Sequence, residues 1–112
     1  MTRPRFNRLL TLQSRHRAPD GAGGFVEHWV NLGQLWAQVR ATGGRENMAD
    51  HASLSQVSYD ITVRASPHGA PSRPQPDQRL TEGPRVFRIL AVAERDTTNR
   101  YLSLRAIEET AQ

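Results

Sequence analysis

The sequence contains no cysteine. This absence excludes disulfide bonds, thiolate metal ligands and a cysteine nucleophile. The chain also lacks any apolar run close to the roughly 20 residues that a membrane-spanning helix needs, and no apolar segment follows its N-terminal arginines as a secretory signal requires. We therefore expect a protein with no membrane partner that is made and kept in the cytoplasm of the producing cell until it is assembled.

Lysine is absent too, so all 15 basic residues are arginine, and the formal net charge is +4. Arginine suits bidentate contacts with carboxylates and phosphates better than lysine does, although a genome rich in arginine codons explains the composition equally well. Five arginines precede the first acidic residue and are candidates for contact with DNA or an acidic partner. They are Arg3, Arg5, Arg8, Arg15 and Arg17.

Apolar residues make up only 37% of the 112 residues. A chain of this length fits one domain spanning residues 1–112, and a small core suggests a subunit whose surface is completed by a partner. The two tryptophans carry the largest apolar side chains, so we expect the core to form around them. The predicted core residues are Trp29, Trp36, Tyr59, Ile61, Val63, Ile89, Leu102 and Leu104.

Apolar and polar residues alternate with a period of two along most of the chain, which is typical of half-buried strands. We expect a turn at Gly33 to separate two of these strands, and the pair Gly43–Gly44 to end the second. With at most one short helix, the pattern predicts an all-β domain, a small antiparallel barrel or sandwich of about six to seven strands. The predicted strands are residues 8–16, 25–32, 35–41, 56–64, 79–82, 85–93 and 100–107.

Three segments lack this alternation. Residues 1–7 are predicted to be a flexible basic arm, and residues 43–56 a loop or a single helical turn. Residues 66–78 are rich in proline, which excludes regular helix and central strand, so we expect an extended and poorly ordered loop.

Catalytic patterns are missing. The four histidines lie in four different segments without metal-ligand spacing, and no GxSxG motif positions a nucleophile, so no enzyme activity, metal or cofactor is predicted. A single-strand nucleic-acid-binding module of the OB type remains an alternative, because it needs exposed aromatic residues beside basic ones. Phe87 and Tyr101 are aromatic residues that are free to face outward in such a module.

The order and spacing of several segments resemble the phage head-tail joining proteins over roughly residues 8–107. The resemblance depends on the strand that carries Trp29 and on the segments LWAQV (35–39), GRE (44–46), YDITVR (59–64), GPRVFRI (83–89) and NRYLSL (99–104). The proline-rich segment departs from it, being longer than the loop of that family.

The resemblance implies a stopper or head-closure subunit without enzymatic activity. Such a subunit is a small β-barrel that forms a ring of roughly six or twelve copies. The ring joins the DNA-filled head to the tail of a phage, prophage or gene transfer agent. Its partners would be head-side adaptor or portal proteins, tail terminator or tail tube proteins, and DNA that passes through the channel without sequence-specific contact.

Two of the irregular segments then gain candidate roles. The segment between the glycine pair and the next strand is predicted to project toward the ring axis and gate the channel, and its candidate residues are Gly43, Gly44, Arg45, Glu46, Asn47, Met48, Asp50, His51 and Ser53. The proline-rich segment is a candidate assembly loop that orders against a neighbour by strand addition. Its candidate residues are Pro67, Pro71, Arg73, Pro74 and Pro76.

Overall fold

A computed structural model describes residues 3–46 and 55–109, without the side chains of residues 43–46 and 55–56. Six antiparallel strands close into one barrel in the order β1-β2-β3-β6-β5-β4, and the described residues contain no helix. The predicted all-β antiparallel fold is therefore confirmed. The strands are β1 (Arg8–Pro19), β2 (Phe25–Glu46), β3 (Ser55–Arg64), β4 (Arg79–Glu82), β5 (Arg85–Glu94) and β6 (Tyr101–Glu109).

The core fills the barrel with side chains from all six strands. On β6, for example, Leu102, Leu104 and Ala106 are buried while the residues between them are partly or fully exposed, as the period of two requires. Tyr59 is half-buried and packs against this cluster. The buried apolar side chains are Leu10, Leu12, Ala37, Ile61, Val63, Leu80, Phe87, Ile89, Leu102, Leu104 and Ala106.

The predicted turn at Gly33 is wrong, because β2 runs as one strand of 22 residues through this position. Leu12 pairs with Gly33 and Gln13 pairs with Asn31, so Leu32 is an extra residue in the ladder and forms a β-bulge. Gly33 has a φ of +143°, which favours glycine over residues with a Cβ. The glycine therefore bends the strand without ending it.

The prediction that the tryptophans form the core is also wrong. Trp36 is 55% exposed and Trp29 is only half-buried. The bulge supplies the reason for Trp29, because the extra residue Leu32 places the side chains before it on the opposite faces to those that unbroken alternation with Ala37 would give. Trp36 has the opposite parity to the buried Ala37, so both tryptophans lie on the outer side.

The second half of β1 and the N-terminal end of β2 extend beyond the barrel as a two-stranded ribbon. In this segment Ser14–Pro19 pairs only with Phe25–Val30, since β4 pairs with β1 at Thr11–Gln13 and β3 pairs with β2 from Ala37 onward. We call this element the β1–β2 ribbon. It contributes to the elongated shape of the molecule, which measures 54 × 39 × 24 Å and has a radius of gyration of 15.6 Å, above the ~13 Å of a compact domain of this size.

Candidate assembly surfaces

One mouth of the barrel is closed by a hydrogen-bonded ionic cluster. The Arg85 guanidinium donates to both Glu108 oxygens, at 2.8 and 3.1 Å, and to the Tyr59 hydroxyl at 3.1 Å. Tyr59 in turn donates to Glu108 at 2.9 Å, and its ring meets the buried Phe87 edge-on with centroids 5.1 Å apart. The bidentate contact holds Arg85 and Glu108 in place above the core.

A second ion pair of this mouth uses Arg8, one of the arginines predicted to contact DNA or a partner. Its Nε donates to the Glu82 carboxylate at 3.0 Å, and a second contact joins its Nη2 to the same group. The hydrogen bond from Arg8 lowers the pKa of Glu82, and the one from Arg85 lowers the pKa of Glu108. Arg8 therefore stabilises the subunit, and its charge is already neutralised.

The N-terminal arm lies against the outer face of the barrel over residues 3–7, although the sequence predicts a flexible segment. The Arg5 amide donates to the Gln38 side chain on β2 at 2.8 Å. The Phe6 ring lies 5.7 Å from the Tyr101 ring of β6, and the Arg64 guanidinium of β3 covers Phe6 at 4.8 Å. The arm thus crosses three strands.

The arm and the strands beneath it form a basic surface that we call the arginine face. Arg3 and Arg5 line one groove together with Arg40 and Arg95, and on the other side of the arm Arg3 lies near Arg64 and Arg100. Within the described residues, the ion pairs of this surface include one between Arg40 and Asp60 at 3.7 Å. The arginine face comprises Arg3, Arg5, Arg40, Arg64, Arg95 and Arg100.

Sequence reasoning missed four members of this face, namely Arg40, Arg64, Arg95 and Arg100. For Arg40 and Arg64 the signal is present, because each has the outward parity of its strand. Their proximity to the arm is not encoded locally, since it depends on how the barrel closes. The five predicted arginines consequently divide among the arginine face, the barrel mouth and the ribbon.

The base of the ribbon is braced by stacked and hydrogen-bonded side chains. Two guanidinium groups contact the Trp29 ring, with Arg79 at 4.0 Å and Arg15 at 5.0 Å from its centroid. Arg79 also donates to Gln13 at 2.6 Å, and Gln13 donates to Asn31 at 2.7 Å. These contacts join the ribbon to β4 and fix its direction relative to the barrel.

The far end of the ribbon is apolar and exposed. Phe25 is 60% exposed and Val26 is 51% exposed, and Arg17 covers one face of the Phe25 ring at 4.6 Å. In the connecting turn, Asp20 accepts the amides of Ala22 and Gly24, and these hydrogen bonds lower its pKa. We call Phe25 and Val26 the ribbon tip.

A second exposed apolar site lies on the barrel itself. Leu9 of β1 pairs directly across the ladder with Trp36 of β2, and the two side chains are 38% and 55% exposed. Gln38, which binds the arm, and Arg40 follow Trp36 on the same face of β2. The apolar pair, Leu9 and Trp36, therefore adjoins the arginine face.

The candidate channel segment begins and ends inside a ladder. Gly44, Arg45 and Glu46 pair with residues 57, 56 and 55 respectively, so the glycine pair does not end β2 as the sequence predicts. The register shift between Ala41 and Gly44 shows that the ladder continues past one extra residue in this stretch of β2. The candidate residues Asn47, Met48, Asp50, His51 and Ser53 lie outside the described residues.

The proline-rich segment packs on the barrel, which corrects the prediction of an extended, poorly ordered loop. Pro74 is fully buried, and Arg73 donates to the Ser66 carbonyl at 2.8 Å. The Asp77 amide continues the pairing by donating to the Ile89 carbonyl at 2.9 Å. Pro74 is thus a core-covering residue of the subunit itself. The candidates that remain exposed are Pro67, Pro71 and Pro76.

The histidines and acidic residues form no metal centre in the described part of the chain, where no group of three or more potential ligands occurs. His16 and His28 do face each other across the ribbon, with ring centroids 6.2 Å apart. Within residues 3–46 and 55–109, no helix is long and apolar enough to span a bilayer.

Comparison with solved structures gives two informative neighbours. A chain from the virion of a native gene transfer agent particle is 50% identical, with a TM-score of 0.83 over 97% of this chain and 100% of its own length. The solution structure of protein SF1141 from Shigella flexneri 2a shares the fold, with a TM-score of 0.69 at 23% identity over the full length of both chains. Comparison with curated proteins gives no match.

The family comparison covers nearly the whole sequence. The model of the phage head completion proteins matches residues 1–109, which include every strand of the barrel and the N-terminal arm. This match agrees with the resemblance to the phage head-tail joining proteins that the order and spacing of the sequence segments indicate. The chain belongs to the phage head completion protein family.

Proposed function

We propose that this chain forms a homo-oligomeric ring of roughly six or twelve copies in the neck of a phage-like particle, where it closes the DNA-filled head and joins it to the tail. The observation that carries the proposal is its 50% identity, over nearly the whole of both chains, to a chain of a gene transfer agent virion. Its head-side partners are adaptor or portal proteins, and its tail-side partners are terminator or tube proteins. Its role there is structural, not enzymatic.

Deleting the gene in producing cells tests this role. We expect DNA-filled heads that lack tails and release their DNA, counted by electron microscopy and by the DNase sensitivity of the packaged DNA. Restoring the gene should restore tailed particles, and antibody labelling should place the chain in the neck. Tailed, DNase-resistant particles in the deletion strain would contradict the proposal.

The arginine face is the surface that we assign to an acidic partner ring or to passing DNA. Arg3 and Arg5 on the arm, with Arg40 on the barrel, are exposed and lie together. We expect the combined change Arg3→Glu, Arg5→Glu and Arg40→Glu to weaken incorporation into particles most strongly at low salt, because added salt screens both the attraction in the parent and the repulsion in the variant. Arg105→Glu, an exposed position on β6, is the control. Equal incorporation at all salt concentrations would rule this surface out.

The gating role of residues 43–56 is tested without disturbing the ladder that ends at Glu46 and Ser55. Residues 47–54 are replaced by Asn-Gly, which forms a two-residue hairpin turn between directly paired positions. Rings should still assemble, while filled heads lose DNA faster than those of the parent. Unchanged DNA retention would show that the channel is closed by another segment.

The exposed prolines of the 66–78 loop remain candidates for contact with a neighbouring subunit. Limited proteolysis of free chain and assembled particles measures this directly. Protection of the loop on assembly supports an interface, and equal cleavage in both samples argues against one.

The OB-like alternative gains one observation, because the exposed Trp36 lies beside the arginine face as a base-stacking residue would. A filter-binding titration with single-stranded DNA separates the two functions. Tight binding with a steep salt dependence favours the nucleic-acid module, whereas weak binding together with co-sedimentation with particles favours the connector.

A further inference from the structure

The chain presents two exposed apolar sites that do not overlap. The ribbon tip, Phe25 and Val26, lies at the end of a projecting element, and the apolar pair, Leu9 and Trp36, lies on the wall of the barrel. Large aromatic side chains that are more than half exposed are typical of contact surfaces that are buried on assembly. Each site is therefore a candidate contact surface.

The two sites cannot contact each other within one subunit. Phe25 and Trp36 belong to the same strand, and their separation of eleven residues corresponds to about 37 Å of extended chain. The brace of Arg15, Arg79 and Trp29 at the base of the ribbon also keeps the ribbon directed away from the barrel. Any contact between the two sites must be between different copies.

The charges around the two sites differ, since the wall is basic whereas the ribbon tip carries a carboxylate in addition to Arg17, which lies over Phe25. The turn of the ribbon carries the exposed carboxylate of Asp20, held by the amides of Ala22 and Gly24. The apolar pair instead adjoins the arginine face, where Arg5 and Arg40 are exposed. A tip with an apolar end and a nearby carboxylate thus matches a wall with an apolar pair and nearby guanidinium groups.

We propose that the ribbon tip of one copy docks on the apolar pair of the next copy, so that subunits join head to tail. Two different patches on one chain produce a heterologous contact, which closes into a ring when the rotation between neighbours divides a full turn. The inference rests on the proposed function, because it names the surfaces that would form the proposed ring. Asp20 lies beside the arginines of the neighbouring copy in this arrangement.

The absence of native cysteine makes a crosslinking test direct. The double variant Val26→Cys, Trp36→Cys is produced in particles and treated with a short bismaleimide. We expect a ladder of covalent dimers, trimers and larger species that ends at the ring size. A mixture of the two single variants should stop at dimers, because each copy then offers only one reactive site.

The control moves the second cysteine to an exposed apolar position on the opposite side of the barrel. Leu90 is 44% exposed and lies on β5, three strands away from β2 in either direction around the barrel. The double variant Val26→Cys, Leu90→Cys should give no ladder. A ladder of equal yield in this control, or no ladder from Val26→Cys, Trp36→Cys in particles that contain the chain, would overturn the inference. Parent particles that lack the chain altogether would instead contradict the proposed function, and with it the ring that the inference requires.

Discussion

The β1–β2 ribbon continues two of the six strands of the barrel, and the two regions differ in almost every other respect. In the barrel, Leu10 and Leu12 of β1 are buried, and at its mouth Arg8 is paired with a carboxylate. In the ribbon, Arg17 covers an exposed phenylalanine and Phe25 is 60% accessible. The difference shows that β1 and β2 each contribute buried residues to the barrel and exposed residues to the ribbon.

The largest expected difference in stability is between alanine substitutions of a buried and an exposed aromatic residue. Phe87→Ala removes a fully buried ring and should cost about 3–5 kcal/mol of unfolding free energy. Trp36→Ala removes a larger side chain that is 55% exposed, and should cost less than about 1 kcal/mol. Urea unfolding followed by circular dichroism measures both. Equal losses would mean that the outer face of the barrel contributes to the subunit as much as its core.

The ionic mouth of the barrel gives the next effect. Glu108→Gln weakens the bidentate contact with Arg85 and should cost about 1–2 kcal/mol at neutral pH. Because the folded-state pKa of Glu108 is lowered, its contribution is complete above the unfolded value of about 4.3 and is lost as the pH falls through the folded value.

The parent should therefore lose stability in acid below about pH 4.3, and Glu108→Gln should lose less over the same range. Glu82, whose pKa is lowered by Arg8, contributes in the same direction and remains in this variant. Glu94→Gln, at an exposed position on β5, is the matched control and should follow the parent. Parallel acid profiles for Glu108→Gln and the parent would show that this ion pair does not stabilise the fold.

A smaller and local effect is expected at the base of the ribbon. Arg79→Gln removes the guanidinium at 4.0 Å from Trp29, a contact worth about 0.5–1 kcal/mol. Hydrogen exchange of the ribbon amides should accelerate by roughly two- to five-fold while exchange in β6 stays unchanged. Arg105→Gln on β6 serves as the control. Uniform acceleration throughout the chain would indicate that the ribbon and barrel unfold together.

The smallest effect on stability is expected at the ribbon tip. Phe25→Ser changes a side chain that is 60% exposed, so unfolding should shift by no more than about 0.5 kcal/mol. The same change should lower the amount of chain recovered in particles, because the tip is proposed to contact a neighbour. A stability loss as large as that of Phe87→Ala would remove the distinction between ribbon and barrel.

Much of the barrel is predictable from the sequence because its strands alternate locally. The period of two places Ile61 and Val63, and likewise Leu102 and Leu104, on inward faces, where the structure buries them. The bulge is not visible in the same way, since a glycine between two alternating segments is equally typical of a turn. Because of the extra residue beside Gly33, β2 is one continuous strand where two strands joined by a turn were predicted, and Trp29 lies on the outer side.

The candidate surfaces were less predictable because they depend on contacts between distant segments. Arg8 and Glu82 are separated by 74 positions, and only barrel closure brings them together. Pro74 likewise looks like a residue of an exposed loop until the packing of that loop buries it. The sequence identifies the N-terminal arginines, but only the fold shows that Arg8 is hydrogen-bonded to Glu82 while Arg3 and Arg5 belong to the arginine face.

The ladder of the β1–β2 ribbon has a further consequence for how such a subunit varies in size. Its strands pair one to one from Ser14 with Val30 to Pro19 with Phe25, beyond the irregularity at Leu32 and Gly33. Adding two residues to each strand at the base of the ribbon would keep every ribbon side chain on its present face and lengthen the ribbon by about 7 Å. Adding one residue to each strand there would move those side chains to the opposite face. Relatives should therefore differ in ribbon length by even steps, and in the proposed ring the spacing between neighbouring copies should change in increments of the same size.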